Sequence, residues 1–313
     1  MIKNVSVLGA GTMGHAIATT FAMYGCNVKL YEAFESVRAT AMQRIQDALE
    51  LMAADECIPQ AKVREAMDNI TVYDDLAAAV ADADYVIEAA PENVELKQKL
   101  FLEIDALCPA HTIFGTNTSS LKLADISALL PEARKAKVMV CHWYNPAHLI
   151  PIIELSAFGN MSDADYELVH ELYVRCEKQP VKILKDIPGM IANRMLHALA
   201  REVFHLVEIG AASPEDIDRA LKFGPCFRSA TTGMLEVADM GGLDIWCAAQ
   251  DNFLKDLDNS DKACDMLRGQ VESGNFGFKT GKGFFDYPEE VRSSLQGEFH
   301  KRLIAQLKVS KGY

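Results

Sequence analysis

Residues 5–25 read VSVLGAGTMGHAIATTFAMYG, a short apolar run followed by a glycine-rich turn and a helical pattern that ends at Gly25. Gly9, Gly11 and Gly14 have the spacing G-x-G-x-x-G between the predicted strand and the predicted helix. The first glycine permits the tight turn, the second lets a pyrophosphate approach the backbone, and the third lets the helix pack on the strand. The free N–H groups at the helix start also favour a phosphate. The stretch therefore predicts a loop that binds a dinucleotide.

The second predicted strand ends on an acidic residue, Glu32. A carboxylate in this place can accept hydrogen bonds from both ribose hydroxyls and repels a 2′-phosphate, so it favours NAD over NADP as the cofactor. We predict that Thr12 and Met13, inside the glycine loop, also contact NAD, together with Asn117 after a later strand. A tight turn with an unrelated acid downstream is the alternative interpretation of the same residues.

The first half of the chain alternates short apolar runs with longer amphipathic segments, a pattern that is typical of βαβ units and of a mainly parallel sheet. After KDIPG, at residues 185–189, the pattern is almost entirely helical, and the first of these helices is predicted to end at Gly210. We predict an α/β fold with a Rossmann-type, doubly wound, mainly parallel sheet in residues 1–187 and an all-helical C-terminal domain in residues 188–313. The predicted strands are NVSVLGA, NVKLYEA, YVIEAA, TIFGTN, KVMVCHW, PIIELSA and PVKILK.

The composition restricts the classes of partner. Asp and Glu number 44 against 31 Lys and Arg, and the resulting formal net charge of -13 argues against nucleic acid or an anionic membrane as a partner. No apolar run approaches the roughly eighteen residues of a membrane span. The 8 cysteines show no CxxC pair and no zinc spacing, so we predict reduced thiols and no metal site. Because the chain opens directly into a strand pattern, without a leader, we predict a cytoplasmic protein.

Residues 141–155 read CHWYNPAHLIPIIEL, two apolar runs that are separated by Asn-Pro. The residue before proline is pushed out of the helical region, so a turn is predicted there. His142 would then leave one strand and Glu154 would lie near the end of the next, while Cys141 would point to the opposite, buried face. A neutral imidazole can take a hydroxyl proton if a carboxylate fixes its tautomer and stabilises the imidazolium. The spacing alone leaves a structural histidine as the alternative.

Sequence blocks along nearly the whole chain resemble the 3-hydroxyacyl-CoA dehydrogenase superfamily. In chain order they are GAGTMG, VIEAAPENVELKQKLFLEIDALCPAHTIFGTNTSSL, CHWYNPAHLIPIIEL, KDIPGMIANRML and FKTGKGFFDY. The resemblance implies that His142 is a general base and that Glu154 orients it. It also implies that Ser119 and Asn193 hydrogen-bond the substrate oxygen that cycles between hydroxyl and carbonyl. Such donors would stabilise the charge that develops on this oxygen.

The same resemblance implies cofactor contacts outside the glycine loop. Asn145 would help to hold the nicotinamide end, and Glu92 and Lys97 would line the cofactor ribose. Taken alone, Lys97 would more often be a solvated residue on a helix face. These roles therefore rest on the resemblance.

The family contains enzymes for 3-hydroxyacyl-CoA thioesters and enzymes for small free acids, as in the gulonate (lambda-crystallin-like), carnitine and pyridine-carboxylate dehydrogenases. Asp55 and Glu56 stand where thioester enzymes tend to carry lysines for the CoA phosphates, which carboxylates would repel. The run HLIPIIEL has the Ile-Pro form of the free-acid group. Arg228 stands where free-acid members have a basic residue, and its guanidinium could hold a substrate carboxylate in two hydrogen bonds. A surface or dimer-contact arginine is the alternative.

This chain is closer to the free-acid branch, which predicts NAD-dependent oxidation of the hydroxyl of a small 3-hydroxy acid or a related carboxylate-bearing alcohol. One alternative is a short-chain L-3-hydroxyacyl-CoA (3-hydroxybutyryl-CoA) dehydrogenase. Another is a non-catalytic, crystallin-like protein, against which the complete set of predicted catalytic residues argues. Met190 and Met234 depart from the Phe and Pro of the family pattern, so the roof of the substrate pocket is expected to differ.

The expected partner is a small-molecule substrate. The apolar helices after Pro188 exceed what one small domain needs to cover itself. An apolar surface of this kind is typical of an interface between copies of a chain. We therefore predict a homodimer through the C-terminal domain.

Overall fold

The structure is a computed structural model that describes all 313 residues. The chain divides into two compact units, Met1–Ile191 and Ala192–Tyr313. The domain boundary predicted between residues 187 and 188 stays a prediction. None of the helices combines the length and the hydropathy that crossing a membrane would require.

The first unit is built on one sheet of eight strands in the order β3-β2-β1-β4-β5-β6-β7-β8. All neighbouring strands are parallel except β6 and β7, which are antiparallel. The predicted doubly wound, mainly parallel sheet is thereby confirmed. The strands are β1 (Asn4–Leu8), β2 (Asn27–Tyr31), β3 (Ile70–Tyr73), β4 (Tyr85–Glu88), β5 (Ile113–Thr116), β6 (Val138–Trp143), β7 (Ile152–Ser156) and β8 (Gln179–Ile183).

Strand β3 is absent from the strands that the sequence predicts. It has four residues, ITVY, and only Ile70 among them is buried. Because β3 lies at one edge of the sheet, it needs no continuous apolar run, and its pattern is too weak to identify it. The central strands β4, β5 and β6 are buried along their whole length, and their apolar runs do predict them.

Helices cover the sheet of the first unit. The helix after the glycine loop has nine buried residues out of ten, so it is buried nearly all round rather than on one face. The helices of this unit are α1 (Gly14–Met23), α2 (Glu35–Ala54), α3 (Gln60–Asp68), α4 (Leu76–Val80), α5 (Val94–Leu107), α6 (Leu123–Ile126), α7 (Glu132–Lys135) and α8 (Asp163–Arg175).

The second unit contains helices and no strand, which confirms the predicted all-helical character. Its first helix ends where Gly210 predicts. Gly210 has a φ of +68°, and the Ala211 N–H donates to the carbonyl of Leu206, as in a Schellman cap. The helices are α9 (Ala192–Glu208), α10 (Pro214–Phe223), α11 (Pro225–Ser229), α12 (Met234–Gly241), α13 (Leu243–Phe253), α14 (Asp265–Glu272) and α15 (Glu289–Ser310).

Candidate active site

The glycine loop lies between β1 and α1, and each of its glycines meets a different constraint. Gly9 has a φ of +100°, in the left-handed region. At Gly14 an added Cβ would lie 1.7 Å from the carbonyl oxygen of Gly9, so only glycine lets helix and turn pack this closely. At Gly11 an added Cβ would meet no protein atom within 4 Å. The space beside Gly11 is therefore open to a ligand, as a cofactor phosphate requires.

Two side chains that the sequence does not single out form hydrogen bonds to backbone carbonyls of this loop. The Arg44 guanidinium on α2 donates to the carbonyl of Ala10 at 2.7 Å. The His15 Nδ1 lies 2.6 Å from the carbonyl oxygen of Gly11. Burial lowers the pKa of His15, so the ring is held neutral and donates from Nδ1. Neither residue has a local signal in the sequence, because both contacts depend on how α1 and α2 pack.

Glu32 closes β2 beside the loop and is almost fully buried. Its two oxygens accept hydrogen bonds from the N–H groups of Ala10 at 2.8 Å and Phe34 at 3.0 Å. A cavity of about 560 Å³ opens in front of it. The predicted cofactor residues in its lining are Gly9, Gly11, Thr12, Met13 and Glu32. A pocket with free space at the glycine loop and a carboxylate at the strand end fits the pyrophosphate and ribose of NAD.

His142 and Glu154 form a buried pair in the antiparallel ladder between β6 and β7. They are directly opposite each other in the register, and the His142 Nδ1 lies 2.7 Å from the Glu154 Oε2. A carboxylate only accepts, so a neutral ring must carry its hydrogen on Nδ1, which leaves Nε2 as the acceptor. The other oxygen, Oε1, accepts from the N–H of Ile191 at 2.8 Å. Both oxygens of the carboxylate are therefore fixed.

The position of Glu154 within its strand differs from the prediction. Glu154 is the middle residue of β7 rather than a residue near its end. The reason is the antiparallel register, in which the three middle residues of β7 pair with the last three residues of β6. The pair thus lies near the carboxyl edge of the parallel strands, where ligands of doubly wound sheets bind.

Cys141 lies on the opposite face from His142, as predicted, and is fully buried. Its sulfur accepts a hydrogen bond from the Tyr85 hydroxyl at 3.0 Å. Burial raises the pKa of the Cys141 thiol to about 12, so the thiol stays protonated at neutral pH. A protonated, enclosed thiol is a poor nucleophile.

His142 is only 5% exposed itself, and its ring centre lies 5.1 Å from that of Tyr144.

Ser119 lies in the loop after β5, and Glu92 holds this loop. The Glu92 Oε1 accepts from the Thr118 hydroxyl at 2.6 Å and from the backbone N–H groups of Ser119 and Ser120 at 3.0 Å. Partial burial opposes ionisation, but the hydrogen bond from Thr118 and the charge of Lys97 prevail and lower the pKa of Glu92 to about 2. Glu92 is thus ionised at neutral pH, and it fixes the backbone on which Ser119 stands.

Behind Glu92 lies a buried ion-pair network that sequence reasoning missed. The Lys97 ammonium on α5 lies 2.6 Å from the Glu88 Oε1 and 3.3 Å from the Glu92 Oε2. The Thr116 hydroxyl donates to the other Glu88 oxygen at 2.6 Å. Glu88 and Lys97 are at most 1% exposed. The network joins the ends of β4 and β5 to α5.

This arrangement bears on two of the roles that the resemblance implies. Neither Glu92 nor Lys97 is in the lining of the cavity beside the glycine loop, and the Lys97 ammonium is enclosed between carboxylates. Their ribose contact stays a prediction. One signal for the network was present in the sequence: Glu88 stands inside the apolar run YVIEAA, and a buried carboxylate requires a partner.

The remaining predicted residues are placed as follows. The Asn117 side chain accepts from the Trp143 N–H at 2.9 Å and so ties the loop after β5 to β6. Asn145 is exposed and precedes Pro146 through a cis peptide bond. In the second unit, Asn193 lies in the first turn of α9 and Arg228 lies in the short helix α11, where it is exposed. The roles of Asn193 and Arg228 stay predictions.

Two family models match the chain over most of its length. Residues 4–187 match the NAD binding domain of 3-hydroxyacyl-CoA dehydrogenase, and residues 189–287 match its C-terminal domain. The chain belongs to the 3-hydroxyacyl-CoA dehydrogenase family. It is an NAD-dependent dehydrogenase that acts on a CH–OH group.

Similar proteins include enzymes for both kinds of substrate. The chain is 33% identical to the 5-formyl-3-hydroxy-2-methylpyridine 4-carboxylate 5-dehydrogenase of Mesorhizobium japonicum, over 100% of this chain and 99% of the relative. A solved structure of such a 5-dehydrogenase, described as an NAD+-dependent dismutase, has a TM-score of 0.91 at 32% identity, with 100% and 99% of the two chains covered. The solved (S)-3-hydroxybutyryl-CoA dehydrogenase of Ralstonia eutropha has a TM-score of 0.74 at 29% identity, with 92% and 100% covered.

Proposed function

We propose that this dehydrogenase oxidises the hydroxyl of a small 3-hydroxy acid or a related carboxylate-bearing alcohol, with His142 as the general base. The observation that carries the proposal is the 2.7 Å contact between the His142 Nδ1 and the Glu154 Oε2 inside the antiparallel ladder of β6 and β7. This contact leaves Nε2 free to take the hydroxyl proton. Bound NAD supplies the hydride acceptor.

The chain's own residues would handle the proton and the charge. When Nε2 takes the proton, the ring becomes an imidazolium, and the Glu154 carboxylate stabilises it across the existing hydrogen bond. Because the Ile191 N–H holds the second carboxylate oxygen, Glu154 does not need to reorient during this step. Ser119, on the loop that Glu92 fixes, and Asn193 would donate hydrogen bonds to the substrate oxygen as it becomes a carbonyl.

Two observations favour a free acid over a CoA thioester. Asp55 and Glu56 follow α2 directly, and these carboxylates would repel the phosphates of a CoA tail. The pyridine-carboxylate enzyme matches the whole chain and has the higher TM-score of the two solved structures compared, 0.91 against 0.74. Arg228 would hold the substrate carboxylate, since a guanidinium binds it in a bidentate fashion. A 3-hydroxybutyryl-CoA substrate is the second candidate, because the thioester enzymes share the fold.

The test is a substrate panel with NAD, followed by the appearance of NADH. It compares 3-hydroxybutyryl-CoA with free 3-hydroxybutyrate, gulonate, carnitine and hydroxymethyl-aryl acids. A free acid should give the highest kcat/KM. A thioester that exceeds every acid would contradict the proposal and establish the second candidate.

A variant of Arg228 tests the proposed contact between its guanidinium and the substrate carboxylate. Arg228→Met should raise the KM for the best acid by roughly ten- to a hundredfold, the effect of losing a charged hydrogen bond. Arg219→Met is the matched control, because Arg219 is another exposed arginine of the second unit and pairs only with Asp216 in its own helix. An unchanged KM in the Arg228 variant would remove this residue from substrate binding.

The homodimer and the location belong to the same proposal. Large apolar side chains of the second unit are exposed, among them Phe227 at 70%, Leu235 at 84% and Met240 at 75%. A second copy of the chain is the partner that we propose for this surface. Sedimentation should give the mass of a dimer, and the mass of a monomer would contradict the proposed homodimer.

All 8 cysteines are free thiols, which supports a reducing, cytoplasmic location.

A further inference from the structure

The loop of residues 144–151 joins β6 to β7 and therefore joins the two strands that carry the His142–Glu154 pair. Its backbone makes a single turn, in which the Leu149 and Ile150 N–H groups both donate to the carbonyl of Pro146 at 3.0 Å. Ala147 and Leu149 are buried. Buried backbone carbonyls in such a loop need hydrogen-bond donors, because an unsatisfied one costs about 1–3 kcal/mol.

A single lysine supplies donors to this loop from a distant part of the chain. The Lys178 ammonium donates to the carbonyls of Ala147 and Ile150, the second at 2.8 Å. It also lies 4.8 Å from the centre of the ring of Trp143, the residue that ends β6. Lys178 is 5% exposed, and burial lowers its pKa to about 7. The hydrogen bonds to the two loop carbonyls offset the cost of burying this amine.

The end of α8 explains how Lys178 reaches the loop. Glu177 has a φ of +53°, and the Lys178 N–H donates to the carbonyl of Tyr173 at 3.0 Å, which closes the helix with a Schellman cap. The chain then turns directly into β8, where the Gln179 N–H donates to the carbonyl of Pro151 at 2.8 Å. The Lys178 side chain and the Gln179 backbone N–H thus both donate hydrogen bonds to the same loop.

We propose that Lys178 is a positioning residue for the nicotinamide end of the cofactor, because it fixes the loop from which Asn145 projects. Asn145 is the exposed residue at the start of this loop. The inference rests on the proposed contact between Asn145 and the nicotinamide. Lys178 itself touches neither the cofactor nor the substrate in this account. Its loss should therefore disturb one end of the cofactor site and spare the other.

The test compares the affinities of NADH and of ADP-ribose, which lacks the nicotinamide ring. In Lys178→Met we expect the Kd of NADH to rise roughly tenfold, the equivalent of about one lost hydrogen bond, while the Kd of ADP-ribose stays within about twofold. Lys182→Met is the matched control: Lys182 lies on β8, and its ammonium stacks on Tyr166 rather than on the loop. Its two affinities should equal those of the parent.

Lys178→Arg tests whether the donors matter. A guanidinium can donate to both carbonyls and should restore the NADH affinity to within about threefold of the parent. If Lys178→Met does not fold, Lys178→Gln takes its place against Lys178→Arg, and the same selective loss of NADH affinity is expected. An equal loss of both affinities, or no loss of either, would overturn the proposal. Both ligands are measured without turnover, so an error in the proposed substrate or base leaves this result readable.

Discussion

The glycine loop and the His142–Glu154 pair lie along the same edge of one sheet, but they are held in place by opposite means. The loop depends on missing side chains, since Gly14 leaves no room for a Cβ and Gly11 leaves room for a ligand. The pair and its neighbourhood depend on buried charged groups that bond one another or the backbone. The cofactor end is therefore sensitive to added atoms, whereas the catalytic end is sensitive to lost partners.

The same contrast recurs at two helix ends. Helix α1 (Gly14–Met23) is followed at its C-terminal end by Gly25, which has a φ of +77°. Helix α8 (Asp163–Arg175) is followed by Glu177 with a φ of +53°, a conformation that strains a residue with a Cβ. Glu177 also accepts a hydrogen bond from Tyr24. One end uses glycine where the backbone is left-handed, and the other uses a side chain with a partner.

The largest effect on stability is expected from the ion-pair network. Lys97→Met removes the cation between Glu88 and Glu92 and leaves a fully buried carboxylate unpaired. The free energy of unfolding should fall by about 3–5 kcal/mol. Lys99→Met, an exposed lysine on the same helix, should change it by less than about 0.5 kcal/mol. Denaturant unfolding measures the free energy of unfolding of both variants. Similar values for the two would show that the ion-pair network does not stabilise the fold.

The next effect separates two glycines of one loop. Gly14→Ala places a Cβ against the backbone carbonyl of Gly9, which cannot move aside as a side chain can, and should lower the free energy of unfolding by about 3 kcal/mol. Gly11→Ala meets no protein atom, so its stability should stay within about 0.5 kcal/mol of the parent. Its NADH affinity should nevertheless fall, because the methyl group occupies the cofactor's space. Thermal unfolding measures the two stabilities, and NADH titration measures the affinity. Normal NADH binding by Gly11→Ala would contradict this account.

The smallest effect concerns the two helix ends. Gly25→Ala should lower the free energy of unfolding by about 1–2 kcal/mol, since alanine is strained at a positive φ. Glu177→Gly relieves strain but loses the bond from Tyr24, so it should raise stability by at most about 1 kcal/mol. Opposite signs in the two melting temperatures are expected. A clear loss of stability in Glu177→Gly would mean that the Tyr24 bond outweighs the strain.

The sequence predicts one end of the site better than the other for a physical reason. The glycine loop and Glu32 are local features, because a turn, a helix start and a strand end each leave a short pattern. The bonds from Lys97 to Glu88 and from Lys178 to the loop of residues 144–151 join side chains to atoms that only the packed sheet brings together. No local pattern specifies such partners. The pair of His142 and Glu154 is intermediate, since the turn between their strands is short enough to predict that they meet.

The most direct test of the central claim is the turnover of His142→Gln measured beside its NADH affinity. If His142 takes the proton of the alcohol, kcat should fall by roughly 10²–10⁴-fold. The Kd of NADH should stay within about twofold, because the glycine loop and Glu32 are untouched. A variant that binds NADH and turns over the best substrate at nearly the parent rate would contradict the account.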